Sequence, residues 1–518
     1  MSNISRRNFL EFASGGVALG FLVGCSSSSS PASTTAEPVV QGSQNSTPQA
    51  SALSAEVRDV QIKMVARPVT AEIESGVTTD VWSYLGEVID GDPATLETSG
   101  SYLGPTIHLW PGQRVRVEFV NEIEQESIIH WHGLIVPDDQ DGQPRYAVEP
   151  GGSYAYDFTV ANRPGTYWYH PHPHHYTGEQ VYRGLSGLII IHDADAPGDV
   201  IDLPVVLQDR TLSESGELQY VASRHDQMAG FVGRDLVTNG VKNASYGLDR
   251  RTYCLRVLNG SNSRTQHLKW SDGRPMVVIA TDGHALATPV ERSAVLLTPA
   301  QRIDVWLDLS ETDARTELKL MAADTFVEEG GMGGMGMMGS SSFALDHRTA
   351  LSLSISDSTP QSVAPPIPSE LERVDVDSAV NGDSPKAFVL STSQGTHWIN
   401  GAQWEGESVT EQETVALGTV EIWEFENRSP MAHPMHIHAE PFQVVERSWI
   451  DGEEPESWAE IAPSIIDEGL HDTVHVWPGQ KVKVAVPFTV HSGTFLYHCH
   501  ILEHEDAGMM RSFRIIEA

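Results

Sequence analysis

The stretch Gly493-Thr494-Phe495-Leu496-Tyr497-His498-Cys499-His500 decides how this chain is read, because Gly165-Thr166-Tyr167-Trp168-Tyr169-His170-Pro171-His172 repeats it. Both copies follow a Pro-Gly pair, Pro478-Gly479 and Pro150-Gly151, and a Phe-Thr-Val segment at 488–490 and 158–160. Both also follow an earlier histidine pair, His436-Ile437-His438 and His130-Trp131-His132. Residues 114–120, 154–158 and 481–486 alternate with a period of two, the mark of half-buried strands. Pro-Gly pairs supply turns ahead of them. No long segment has a helical period. Pro299-Ala300-Gln301-Arg302-Ile303-Asp304-Val305 is a fainter third copy without a histidine pair. The chain therefore reads as all-β, with three related β-sandwich domains over residues 56–197, 198–365 and 366–518. The second boundary falls in Ala364-Pro365-Pro366-Ile367-Pro368.

Residues i and i+2 of a strand face the same way, so a His-x-His triplet aims two imidazoles at one place. With 22 histidines in 518 residues chance gives about one such triplet, and this chain has five. Four of them sit at matching places in the repeat. Eight imidazoles converging from two domains can hold three metal ions. Imidazole suits copper, zinc, iron and nickel, so these residues alone do not name the metal. Cys499 does. It lies between His498 and His500 and faces away from both. With His433, His504 and a weak axial Met509 it makes the His₂Cys-plus-Met set of a blue-copper electron-transfer site.

The segments His130-Trp131-His132-Gly133, His170-Pro171-His172, His433-Pro434-Met435-His436-Ile437-His438 and His498 through Met510 resemble the four copper motifs of the multicopper oxidases. The similarity is nearest to the three-domain bacterial branch of cuprous-oxidase, bilirubin-oxidase-like and laccase-like proteins. It implies three cupredoxin-like Greek-key β-sandwiches and four copper ions. Type 1 copper would be held by His433, Cys499, His504 and Met509, and type 2 by His130 and His436. The type 3 pair would be held by His132, His170, His172, His438, His498 and His500. It also implies dioxygen as electron acceptor, reduced to water with four electrons and four protons. Asp141 and Glu505 match the family's proton-supplying acids. His174 and His175 have no ligand slot and are read as supporting or surface residues.

The reductant is Cu(I) or a small phenolic or other aromatic donor, oxidised at an exposed edge of His433. For Cu(I) speaks the Gly-Met stretch 330–339 with Met332, Met335, Met337 and Met338, since thioether sulfur favours Cu(I), although it also reads as a flexible connection; the resemblance adds Met431, which matches a methionine of the family's cuprous-oxidase substrate site. Against it, Ser429 stands where the cuprous-oxidase branch has an acid, and that branch's Met-rich third-domain insert is missing. The alternative function is a copper-buffering or envelope structural protein of the same fold. Such envelope proteins lack copper ligands, and this chain lacks none.

The formal net charge of -37 repels nucleic acid and excludes a DNA or RNA role. It fits a solvated acidic surface or acidic patches that attract metal cations. Three cysteines rule out a disulfide framework. Cys254, on an alternating strand, reads as a buried inert thiol. Ser5-Arg6-Arg7-Asn8-Phe9-Leu10 resembles a twin-arginine export signal, and Leu22-Val23-Gly24-Cys25 a lipoprotein processing box. Residues 26–55 then form a Ser/Thr/Pro/Ala/Gln tether spanning roughly 30 Å. The expectation is a monomer exported to the periplasm or cell surface, with either a lipid anchor at Cys25 or ordinary signal cleavage nearby.

Overall fold

Three buried asparagines carry the repeat into three dimensions. Asn121, Asn259 and Asn427 close the strands Arg114–Asn121, Thr252–Asn259 and Thr419–Asn427, and each is 0% exposed. The Nδ2 of each donates to two carbonyls at 2.7–2.9 Å: Gln125 and Val148, Arg264 and Leu297, Met431 and Val476. The Oδ1 of each accepts the N–H two residues on, from Ile123, Ser261 and Ser429. The carbonyl of each accepts from the turn residue after proline, Gly151, Ala300 and Gly479, at 2.7, 2.9 and 2.9 Å. Those turn residues share the left-handed conformation, with φ of 80, 73 and 75°. One sandwich corner is thus built three times, once without histidines.

This computed structural model describes residues 58–193, 200–220, 223–324, 345–368 and 371–517. The export signal, Cys25, the tether, the boundary at 197 and the stretch with Met332, Met335, Met337 and Met338 lie outside the described residues. The six sheets draw their strands from residues 60–191, 201–355 and 386–516, two sheets to each set. Each pair of sheets encloses its own apolar core. Alternation does the sorting. In Arg114–Asn121 the residues Val115, Val117 and Phe119 point inward, and each such burial stabilises by roughly 1.5–3 kcal/mol. The all-β class holds, with only short helices.

In the first sandwich, strand Ile129–His132 pairs antiparallel with Gly165–Pro171, with His130 opposite His170. In the third, His433–Ile437 pairs antiparallel with Gly493–Cys499, with His436 opposite His498. A short helix follows each second strand, Thr177–Arg183 and Leu502–Asp506. These helices meet where Asp506 accepts from the Thr177 and Gly178 N–H groups, both at 2.8 Å.

Candidate metal centres

The two strand pairs bring all eight paired histidines into one buried cluster, none more than 2% exposed. His172, His438 and His498 form one trio, with the His498 Nε2 3.4 Å from His172 Nε2 and 3.2 Å from His438 Nε2. His132, His170 and His500 form a second, with ring centroids 5.1–5.5 Å apart. His130 and His436, one from each sandwich, lie 5.9 Å apart, and each stacks or tilts against a trio ring, His438 at 4.1 Å and His132 at 3.8 Å.

Each imidazole has an inner and an outer nitrogen. Six turn Nδ1 outward: His130 to Asp141 O, His170 to Pro171 O, His436 to Asp472 O, His438 to Asp141 Oδ2, His498 to Cys499 O and His172 toward Glu505. His132 does the reverse, donating Nε2 to Asp472 Oδ1 at 3.1 Å with Nδ1 left inside, 3.3 Å from His170 Nε2. The Nε2 atoms of His130 and His436 and both nitrogens of His500 are buried without a protein partner. Burial, aided by neighbouring rings, holds His132, His170, His172, His436 and His498 well below the usual histidine pKa, His438 at about 4 and His500 at about 3. Neutral rings with inward lone pairs are costly to bury unless a cation takes those lone pairs. The donor set fits metal ions.

Two aspartates hold this cluster in parallel ways. Asp141 gives its carbonyl to His130 and its carboxylate to His438 across the domain interface. Burial opposes its charge, yet the His438 and His130 rings hold its carboxyl below the usual range. Asp472 gives its carbonyl to His436 and its carboxylate to His132, again across the interface. Glu505, 1% exposed, lies 3.4 Å from His172 Nδ1 and 3.3 Å from His498 Nδ1. Burial, with Asp506 and Glu503 nearby, pushes its carboxyl well above the ordinary value.

On the opposite face of strand Gly493–Cys499, Cys499 Sγ lies 3.3 Å from His433 Nδ1 and 3.5 Å from His504 Nδ1. Met509 is buried beside them, its backbone tied to both Cys499 and His504. Burial pushes the Cys499 thiol well up, so a thiolate there needs a cation. The expectation of an exposed His433 edge is corrected. His433 and His504 are both 0% exposed. Ser429 Oγ caps His433 Nε2 at 2.7 Å, and the Met228 carbonyl accepts from His504 Nε2 at 3.1 Å. The reason is local: the tight Asn427 corner folds 429–431 over one ring, and helix Arg224–Ala229 of the middle sandwich covers the other.

A cavity of about 330 Å³ adjoins this centre, lined by Met228, Met431, His397, His475, Trp477 and Ile501 among others. His397 lies tilted against His504, ring centroids 3.8 Å apart, and donates to the Met228 carbonyl. The half-buried Met431 lines this cavity. Sequence reasoning missed Asp472, Arg302, Met228, His397 and His475. His174 and His175 stay out of the cluster, His175 against the Asp506 carbonyl and His174 against Trp404. Cys254 is buried on strand Thr252–Asn259, its thiol pushed well up by burial.

Two family models described as multicopper oxidase match residues 86–196 and 379–518. The multicopper oxidase mco of Staphylococcus epidermidis is 31% identical over 433 residues, covering 81% of this chain and 84% of that protein. A laccase of Bacillus subtilis is 28% identical over 477 residues, covering 81% and 90%. The crystal structure of the McoA multicopper oxidase of Aquifex aeolicus matches with a TM-score of 0.70 at 32% identity, covering 89% of this chain and 100% of that one. With the paired-histidine cluster and the Cys499 set in place, this chain belongs to the multicopper oxidase family.

Proposed function

We propose that this oxidoreductase takes electrons singly from a small aromatic donor beside Cys499 and delivers them to dioxygen among the eight imidazoles. His433, Cys499, His504 and Met509 would hold type 1 copper, His130 and His436 type 2, and the two histidine trios the type 3 pair. When bound, the copper would supply one-electron redox chemistry at Cys499 and four-electron reduction of dioxygen at the cluster. The observation that carries the reading is one strand with two faces. Cys499 looks to His433 and His504, while His498 and His500 look to the cluster. A covalent path of backbone bonds joins the two. The His438 Nδ1 proton is held by Asp141 Oδ2, and Glu505 stands against His172 and His498 on the other side. Those positions suit both acids for passing protons inward.

The cavity supports the aromatic donor, because Trp477, Pro430, Pro434 and Ile501 give it apolar walls of the right size. A second reading, Cu(I), is favoured by the two thioethers, Met228 and Met431, that share this cavity. Oxygen uptake by copper-loaded protein with a phenol and with Cu(I) tests both. Four electrons consumed per dioxygen with no peroxide fits the proposal, and no uptake returns the chain to copper buffering. Replacing Met228 and Met431 by Leu removes Cu(I) turnover and spares phenol turnover if Cu(I) uses the thioethers. Export by the twin-arginine route with acylation at Cys25 is a further part of the proposal. Arg6→Lys with Arg7→Lys would block export, and mass analysis of the mature N-terminus would reveal the lipid.

A further inference from the structure

Among the seven imidazoles with an outer partner only His132 keeps Nδ1 inside, 3.3 Å from His170 Nε2, and turns Nε2 outward to Asp472. Asp472 is the only one of the two holding aspartates whose carboxylate is itself gripped by a cation. Arg302, 0% exposed, donates Nη1 to Asp472 Oδ1 at 2.8 Å and Nη2 to Oδ2 at 2.7 Å. Arg302 belongs to the middle sandwich, which contributes none of the eight histidines. Its remaining donors fix it in place: Nε to Thr166 O of the first sandwich, and the two terminal nitrogens to Ala300 O and Asp282 O of its own. The guanidinium is thus oriented by two sandwiches and grips an aspartate of the third.

Room for this pair is provided beside the ligand itself. A Cβ on Gly133, the residue after His132, would lie 2.7 Å from Asp472 Oδ2 and 2.8 Å from Arg302 Nη2. Asp472 also lies close enough to the donor atoms of His132 and His436 to serve as a metal ligand. A buried carboxylate released by its cation turns to the nearest metal. That turn frees the His132 Nε2–H. We infer that Arg302 is a positioning residue of the oxygen-reducing centre. By holding Asp472 as a hydrogen-bond acceptor, it fixes His132 as a ligand through Nδ1. The inference rests on the copper reading above.

The test uses full-length, copper-loaded protein carrying Arg302→Gln, Arg302→Lys or Asp472→Asn. Copper content after dialysis against a chelator and the electron paramagnetic resonance spectrum are read beside the blue absorption. Arg302→Gln and Asp472→Asn should retain the blue absorption of the Cys499 centre but hold cluster copper about 10- to 100-fold more weakly, as loss of an outer partner does. Lys at 302 keeps the charge without the fork and should restore part of that affinity. If these variants fold and keep all their cluster copper with an unchanged resonance spectrum, the inference is overturned. Should Arg302→Gln not fold, Asp472→Asn, which preserves shape, decides. A parent protein that binds no copper would instead overturn the copper reading.

Discussion

The first and third sandwiches present the same strand pair to each other, yet only the third has a second centre on its outer face. Counting from the paired histidines, Ser127, Pro171, Tyr176 and Val181 stand where His433, Cys499, His504 and Met509 stand. Ser127 spends its hydroxyl on Gln180 Oε1 at 2.8 Å, Pro171 and Val181 are buried, and Tyr176 is 38% exposed. The inner face of the repeat is common property, because two copies are needed to enclose the cluster. The outer face is free to differ, and under the proposed function one electron entrance is enough.

The largest expected effect separates the two faces. Cys499→Ser abolishes the blue absorption and oxidase turnover, whereas Pro171→Ala leaves the blue absorption intact, as visible spectra and oxygen uptake would record. Next come the corners. Alanine at Asn121, Asn259 or Asn427 orphans several buried groups and costs about 3 kcal/mol each in denaturant unfolding. Only Asn427→Ala also shifts the blue band, since it releases Ser429 from its bond to Asn427 Oδ1 beside His433. Ser429→Asp puts an anion 4% exposed to solvent against His433 and favours the oxidised centre. Redox titration should give a midpoint lower by roughly 60–120 mV, about 1.4–2.8 kcal/mol. The smallest pair sharpens the likeness of the sandwiches. Gly151→Ala and Gly479→Ala meet no atom within 4 Å, so each costs only the left-handed backbone strain, about 1 kcal/mol, with no spectral change. Ala300, native at φ 73°, is the precedent.

The parts legible in the sequence are those governed by the two-residue period. His130 and His132, and His498 and His500, must share a face, and Cys499 must oppose its neighbours. The third copy at Pro299-Ala300-Gln301-Arg302 was also visible as a turn. What its sequence did not tell is where the basic residue goes. Lys481, at the same place in the third sandwich, stays partly exposed and pairs with Glu424 and the buried Glu426, while Arg302 is buried at the junction of three sandwiches. Asp472 was missed for the same reason: its partner His132 is 340 residues away. The burial of His433 depends on Ser429 and the Asn427 corner, and that of His504 on a helix from another sandwich. The corner did have a signal, an asparagine closing a strand three times.

The most direct test of the two-faced strand is a count of copper per chain in reconstituted full-length protein and in Cys499→Ser. The account predicts about four ions in the parent and about three in the variant, the missing one being the blue ion. A parent with one ion or none, or a variant that loses the cluster ions along with the blue one, would contradict it.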